Sequence, residues 1–137
     1  MTTQNQTTTR LSSHPAATAA WALVLAAAST GAIAEIVDIA WDASGRFERS
    51  VSVAPAKFAE DCGKLPAGLK VRWSFDANTP LDFNVQYHVG KEIVFPSKLV
   101  AVASAKDTLD TKIDHDYCWM WSNKSAAPAT IRVTLQR

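Results

Sequence analysis

Asp114-His115-Asp116-Tyr117-Cys118-Trp119-Met120-Trp121-Ser122-Asn123 decides how the rest of this chain reads. Side chains alternate along a strand, so Tyr117, Trp119 and Trp121 share one face and Cys118, Met120 and Ser122 the other. Both faces carry bulky or apolar groups, the pattern of a central strand buried between two layers. Asn123-Lys124-Ser125 ends the strand with turn chemistry, and Asp114 and Asp116 mark its solvent edge. The first expectation is therefore the core strand of a β-domain. The second is a ligand platform built on Trp119 or Trp121.

Upstream, the alternation recurs. Phe47, Arg49, Val51 and Val53 face away from Glu48, Ser50 and Ser52, which predicts a strand at a sheet edge because Arg49 sits on the apolar face. Ala56 to Cys62 reads as a helical turn or an irregular crossing. Leu69, Val71, Trp73 and Phe75 alternate with polar residues, and so do Leu81, Phe83, Val85 and Tyr87. Asp76-Ala77-Asn78-Thr79-Pro80 between them predicts a turn joining two neighbouring strands. Glu92 to Phe95, stopped by Pro96, then Leu99 to Val102 and Thr108 to Ile113, are further short candidates. Thr130 to Gln136 closes the set. About eight short strands with frequent turns, and no helix of ordinary length, predict an all-β antiparallel sandwich.

The N-terminus reads differently. Met1 to His14 is polar with Arg10 as its one strong positive charge. Pro15 to Ala34 is alanine-rich and apolar and ends in Ala32-Ile33-Ala34, a small-x-small cleavage pattern. This is the layout of a secretory signal peptide, and cleavage is expected between Ala34 and Glu35. The division is thus 1–34 signal peptide and 35–137 β-domain, with a periplasmic or secreted address by the general secretory route. The alternative is an uncleaved segment kept as an anchor, the one membrane attachment the sequence offers.

Fourteen Lys and Arg stand against thirteen Asp and Glu, so without Arg10 the balance is even. Neutrality argues against a nucleic-acid partner, which needs a basic patch. Cys62 and Cys118 are 118 − 62 = 56 positions apart and are expected to pair in an oxidising compartment. Closing such a loop is worth roughly 4 kcal/mol in the chain-entropy account. No Cys-x-x-Cys or His-x-His spacing points to a metal.

Two kinds of sandwich fit. Cys62, Trp73 and Cys118 have roughly immunoglobulin spacing, but Tyr117 adjoins the second cysteine where that fold places its tyrosine two residues before it. The other rests on motif order. Phe58 to Cys62 followed by Leu65-x-x-Gly68, then Trp73-Ser74-Phe75, Leu81 to Val85, Tyr117 to Asn123 and Ile131 to Leu135, together resemble a GOLD domain, a jelly-roll β-sandwich. The resemblance covers most of 35–137. The stretches Phe83 to His88 and Tyr117 to Asn123 are also similar to small secreted bacterial proteins with a GOLD-like domain. In luminal cargo receptors of this family the second cysteine stands where this chain has Met120. Two residues along a strand is about 6.5 Å, so the bond here is expected at a different level of the sandwich. The resemblance does not extend to the coiled coil and membrane span of the receptors, and no role in vesicle traffic is expected from it.

No nucleophile motif, phosphate loop or EF-hand spacing is present, so no catalytic residue, cofactor or enzymatic activity is expected. The expected function is a non-catalytic binding module for a protein, lipid or envelope component. The alternative is a small-ligand module. A divalent metal would use His88, His115 and Asp116, and a glycan would use exposed aromatics among Trp41, Trp73, Tyr87, Tyr117, Trp119 and Trp121. Asn123-Lys124-Ser125 is a formal glycosylation sequon.

Overall fold

The structure, a computed structural model, describes residues 34–137. The signal-peptide reading of 1–34 lies outside the described residues save Ala34. Seven strands follow in order: β1 Glu35–Asp38, β2 Arg46–Val53, β3 Phe58–Leu65, β4 Lys70–Val89, β5 Glu92–Asp110, β6 His115–Ser122 and β7 Ala129–Gln136. The hydrogen-bonded order is β1-β3-β6-β4-β7-β2, with β5 on the free side of β4. All pairs are antiparallel except β1 with β3.

The curl of this sheet is set by β4. Through Ala77 its second neighbour is β7, and from Asp82 it is β6. The strand thus leaves one layer and enters the other, and β5 bends with it. The expected turn at Asp76–Pro80 is this crossing, and the two expected neighbouring strands are one continuous strand. Pro80 lacks an N–H, but it lies in the register shift between Asp76 and Leu81, where no ladder partner needs one. Pro96 likewise does not stop its strand. It sits in the shift between Val85 and Tyr87 of the β4–β5 ladder, on a strand paired on one side only. Opposite the β4 crossing, Ala101 takes a φ of 55° and its N–H donates to Asp82 Oδ1 at 3.1 Å.

The core follows the alternation. Trp119, Trp121, Tyr117, Phe75 and Phe83 are all at most 2% exposed. Phe83 packs 4.8 Å from both Trp73 and Phe75, centroid to centroid, and 5.5 Å from Trp121. Small residues on β3 face the large ones on β6, with Ala59 opposite Trp121 and Gly63 opposite Tyr117.

β3 corrects the reading of Ala56–Cys62 as a turn or crossing. It is an eight-residue strand in register with β6 from Phe58–Ser122 to Leu65–His115. Its polar sequence is explained by what its side chains meet. Asp61 points into the core, fully buried, and Arg49 Nε of β2 donates to its Oδ1 at 2.7 Å. Arg49 Nη1 donates to Glu35 Oε1 of β1 at 2.8 Å. The arginine thus clasps the edge strands of the two layers. β2 is the edge strand expected from Arg49. On the outer face, Gln86 Nε2 donates to Glu60 Oε1 at 2.7 Å.

Burial, more than Arg49 opposes it, raises the Asp61 pKa above its ordinary value. A carboxylate with a raised folded-state pKa stabilises most below the unfolded value, about 3.9, and that contribution is lost as pH rises through the folded value. The urea midpoint of the wild type relative to Asp61→Asn is therefore expected to fall as pH is raised from about 4 towards neutrality. A constant difference across that range would show that Asp61 does not titrate abnormally.

Cys62 and Cys118 form the expected disulfide, with Cα atoms 4.1 Å apart. They stand directly opposite on β3 and β6. Cys62 O accepts from Ile39 N, on the side away from β6, so the pair occupies a non-hydrogen-bonded site where side chains lie close. The bond joins neighbours of one sheet, whereas the immunoglobulin bond pins two sheets, which removes that alternative.

Candidate functional site

The two margins of the sandwich differ. On one, Arg49 closes the seam between β2, β3 and β1. On the other, both layers end in β5, whose halves run along opposite lips of a cleft of about 320 Å³. Val94, Pro96 and Ser97 form one lip and Asp107 to Asp110 the other. Between them lie Trp73, Val85, Tyr87 and Tyr117.

Register explains this lining. Val94 pairs with Tyr87 and Asp107 with Trp73, and opposed residues share a face. Both therefore turn towards the space between the layers. Tyr87 packs on Tyr117 at 4.9 Å and on His115 at 5.7 Å. The Tyr117 hydroxyl is committed to the loop before β6, donating to Ile113 O at 3.1 Å and accepting from Lys112 N at 3.2 Å. That loop is fastened to the turn after β3. Asp114 Oδ1 accepts from Ala67 N at 2.6 Å, and buried Thr111 donates to Pro66 O at 2.6 Å. Asp110 on the rim is held below the usual carboxylate range by its hydrogen bond from Lys70.

β5 is paired to β4 alone, so one side of its backbone faces out. Ile93 and Phe95 are 47% and 40% exposed, and Ile93, opposite His88, lies on the outer face of β5 and not in the cleft. The site thus combines an aromatic interior, Val94 and Pro96 on one lip, a strand edge paired on one side only and one inward carboxylate. It contains no nucleophile–base pair among the described residues.

Of the candidate residues, Trp73, Tyr87 and Tyr117 line this cleft. Trp119 and Trp121 do not form a platform, because both are fully enclosed in the core. His88 and His115 do not converge. Gln86 stands opposite Cys118, which puts His88 on the outer face with the disulfide, whereas His115 packs on Tyr87 on the inner one. Asp116 shares the outer parity and is exposed. His115 Nδ1 accepts from Asp116 N at 3.0 Å. The expected His88–His115–Asp116 metal set is therefore not assembled. The sequon asparagine is buried, and its amide nitrogen donates to Val53 O and Ala127 O at 2.9 and 2.8 Å, which leaves it no freedom to carry a sugar in the folded chain.

The signal that marks the cleft, Trp73 with Tyr87 and Leu109, is spread over three stretches and converges only through the bend of β4 and β5.

No known protein family matches the chain, and no curated protein sequence does. Solved structures do share its fold. The pre-peptidase C-terminal domain of a collagenase from Bacillus anthracis aligns with a TM-score of 0.56 at 5% identity, over 74% of this chain and 93% of that one. The PliG of Salmonella Typhimurium, a periplasmic inhibitor of g-type lysozyme, aligns at 0.51 and 10% identity over 74% and 96%. A mutant of the Escherichia coli PliG aligns at 0.50 and 9% identity over the same shares. Identities this low speak for the fold. Fold and site define a small, disulfide-closed, antiparallel β-sandwich domain with an open margin at β5.

Proposed function

We propose that this protein is an exported, non-catalytic binding module of GOLD-like type, and that its β5 cleft takes a segment of a protein partner. The observation that carries the reading is the asymmetry of the margins. One seam is closed by a buried ion pair, and the other opens between two free strand edges over Trp73 and Tyr87. An extended segment laid there gains main-chain hydrogen bonds from an edge and apolar burial from the interior. Export is supported by the layout of residues 1–34 and by the disulfide. A periplasmic protein of the same fold, PliG, is an inhibitor of another protein, which agrees with a protein partner here.

A photo-crosslinking residue at Val94, inside the cleft, tests this in cells, with Ser50 on the opposite layer's exposed face as control. A discrete protein adduct from Val94 and none from Ser50 is expected. Adducts to lipid alone, or equal labelling from both positions, would replace the reading.

A further inference from the structure

We propose that the reduced protein binds a soft divalent ion, zinc by its chemistry, through Cys62, Cys118 and Glu60, and that forming the disulfide expels it. The site lies on the outer face of β3 and β6, away from the cleft, and does not depend on what the cleft binds.

Three observations carry it. The ligand atoms of Glu60, Cys62 and Cys118 all lie within 4.8 Å of one another. The two sulfurs are brought together by the ladder as well as by their bond: β3 and β6 are in register over eight pairs, and Tyr117, Trp119 and Trp121 anchor β6 from the opposite face. Glu60 is placed before any ion arrives. It is 8% exposed, and Gln86 Nε2 holds one of its oxygens at 2.7 Å. A carboxylate fixed by a neighbouring donor is the usual support for a metal ligand.

The distances suit zinc. Zn–S bonds of about 2.3 Å at tetrahedral angles set two sulfurs about 3.8 Å apart, and Zn–O is about 2.0–2.2 Å. Breaking the S–S bond and a small rotation of each cysteine side chain gives that spacing without moving either strand. Two thiolates and one carboxylate leave a fourth position for water, and the half-buried sulfurs give the ion a route in. Thiolate donors select soft ions over magnesium or calcium.

The cycle balances. A dithiol reductant gives two electrons and two protons to the disulfide and is itself oxidised to a disulfide. Zinc then displaces the two thiol protons into water. When a disulfide-bearing oxidant takes two electrons from the bound thiolates, the Cys62–Cys118 bond forms again and Zn²⁺ leaves. The site is thus filled before oxidative closure and empty after it.

The test uses the protein reduced with a phosphine, desalted without oxygen, and titrated with Co²⁺ and then Zn²⁺. One equivalent of Co²⁺ should give a thiolate-to-cobalt charge-transfer band that zinc abolishes, and zinc should raise the melting temperature of the reduced protein. Glu60→Gln should weaken binding more than tenfold while the strand signal in circular dichroism is kept. The oxidised protein and a Cys62→Ser/Cys118→Ser variant should show neither band nor shift. Absence of the band in folded, reduced wild type would overturn the proposal. So would equal affinity in Glu60→Gln, or loss of the strand signal on reduction, since the ladder would then not hold the ligands.

Discussion

Trp119→Ala should lower the free energy of unfolding by about 3–5 kcal/mol, the range for truncating a buried tryptophan. The indole is fully enclosed, and its residue stands between Asp61 of β3 and Val85 of β4 in the middle of one layer. The loss combines the transfer energy of the ring with the cavity it leaves. A domain of this size has on the order of 5–15 kcal/mol in all, so the variant should be partly unfolded at 37 °C. Trp119→Phe should cost far less. It keeps most of the volume and deletes the indole N–H, which is buried without an acceptor. Urea melts of the two variants decide this. A Trp119→Ala midpoint equal to wild type would mean that the residue does not belong to the core.

Arg49→Met should be as damaging at neutral pH, about 3–5 kcal/mol, because it strands the Asp61 carboxylate in the core. Asp61 Oδ2 already lacks a partner, and Arg49 provides the countercharge at 2.6–2.7 Å from Oδ1. The deficit should shrink in acid, where Asp61 is neutralised by a proton. Removing both charges, as in Arg49→Met/Asp61→Leu, should recover most of the loss, because a well-packed apolar pair often equals or exceeds a buried ion pair. A double variant less stable than Arg49→Met would show that the pair adds net stability to the seam.

Strands with one clean apolar face were legible from sequence. β2 and β7 alternate because one face of each is core and the other is wet. β6 alternates too, but its second face, expected to be buried between two layers, is only half-buried at Cys118, Met120 and Ser122. β3 was hidden because its inward face carries the charge of Asp61 between small Ala59 and Gly63, and its outward face carries Glu60, Cys62 and Lys64. The clue lay at Arg49. A cation on an apolar face requires a buried anion, and Asp61 supplies it. β4 and β5 were cut short in the reading at Pro80 and Pro96. Local turn chemistry was correct about the missing N–H groups, but both prolines fall where the ladder shifts register. Two expected strands thus join as β4 and three as β5, while β1 and β3 were not expected, so about eight became seven.

The sites were less legible. Trp119 and Trp121 drew attention as a pair, yet their shared face is the packed one. Trp73, Tyr87 and Tyr117 were among the candidate aromatics, but their meeting with Leu109 in one cleft comes only through the bend. Glu60 carried no motif, because its neighbours Cys118 and Gln86 lie on other strands.

The account rests on an exported chain closed by Cys62–Cys118, and intact mass spectrometry of protein purified from the envelope fraction tests it most directly. The predicted result is a chain beginning at Glu35 that accepts two alkyl groups only after reduction. A full-length chain whose two thiols alkylate freely would contradict it.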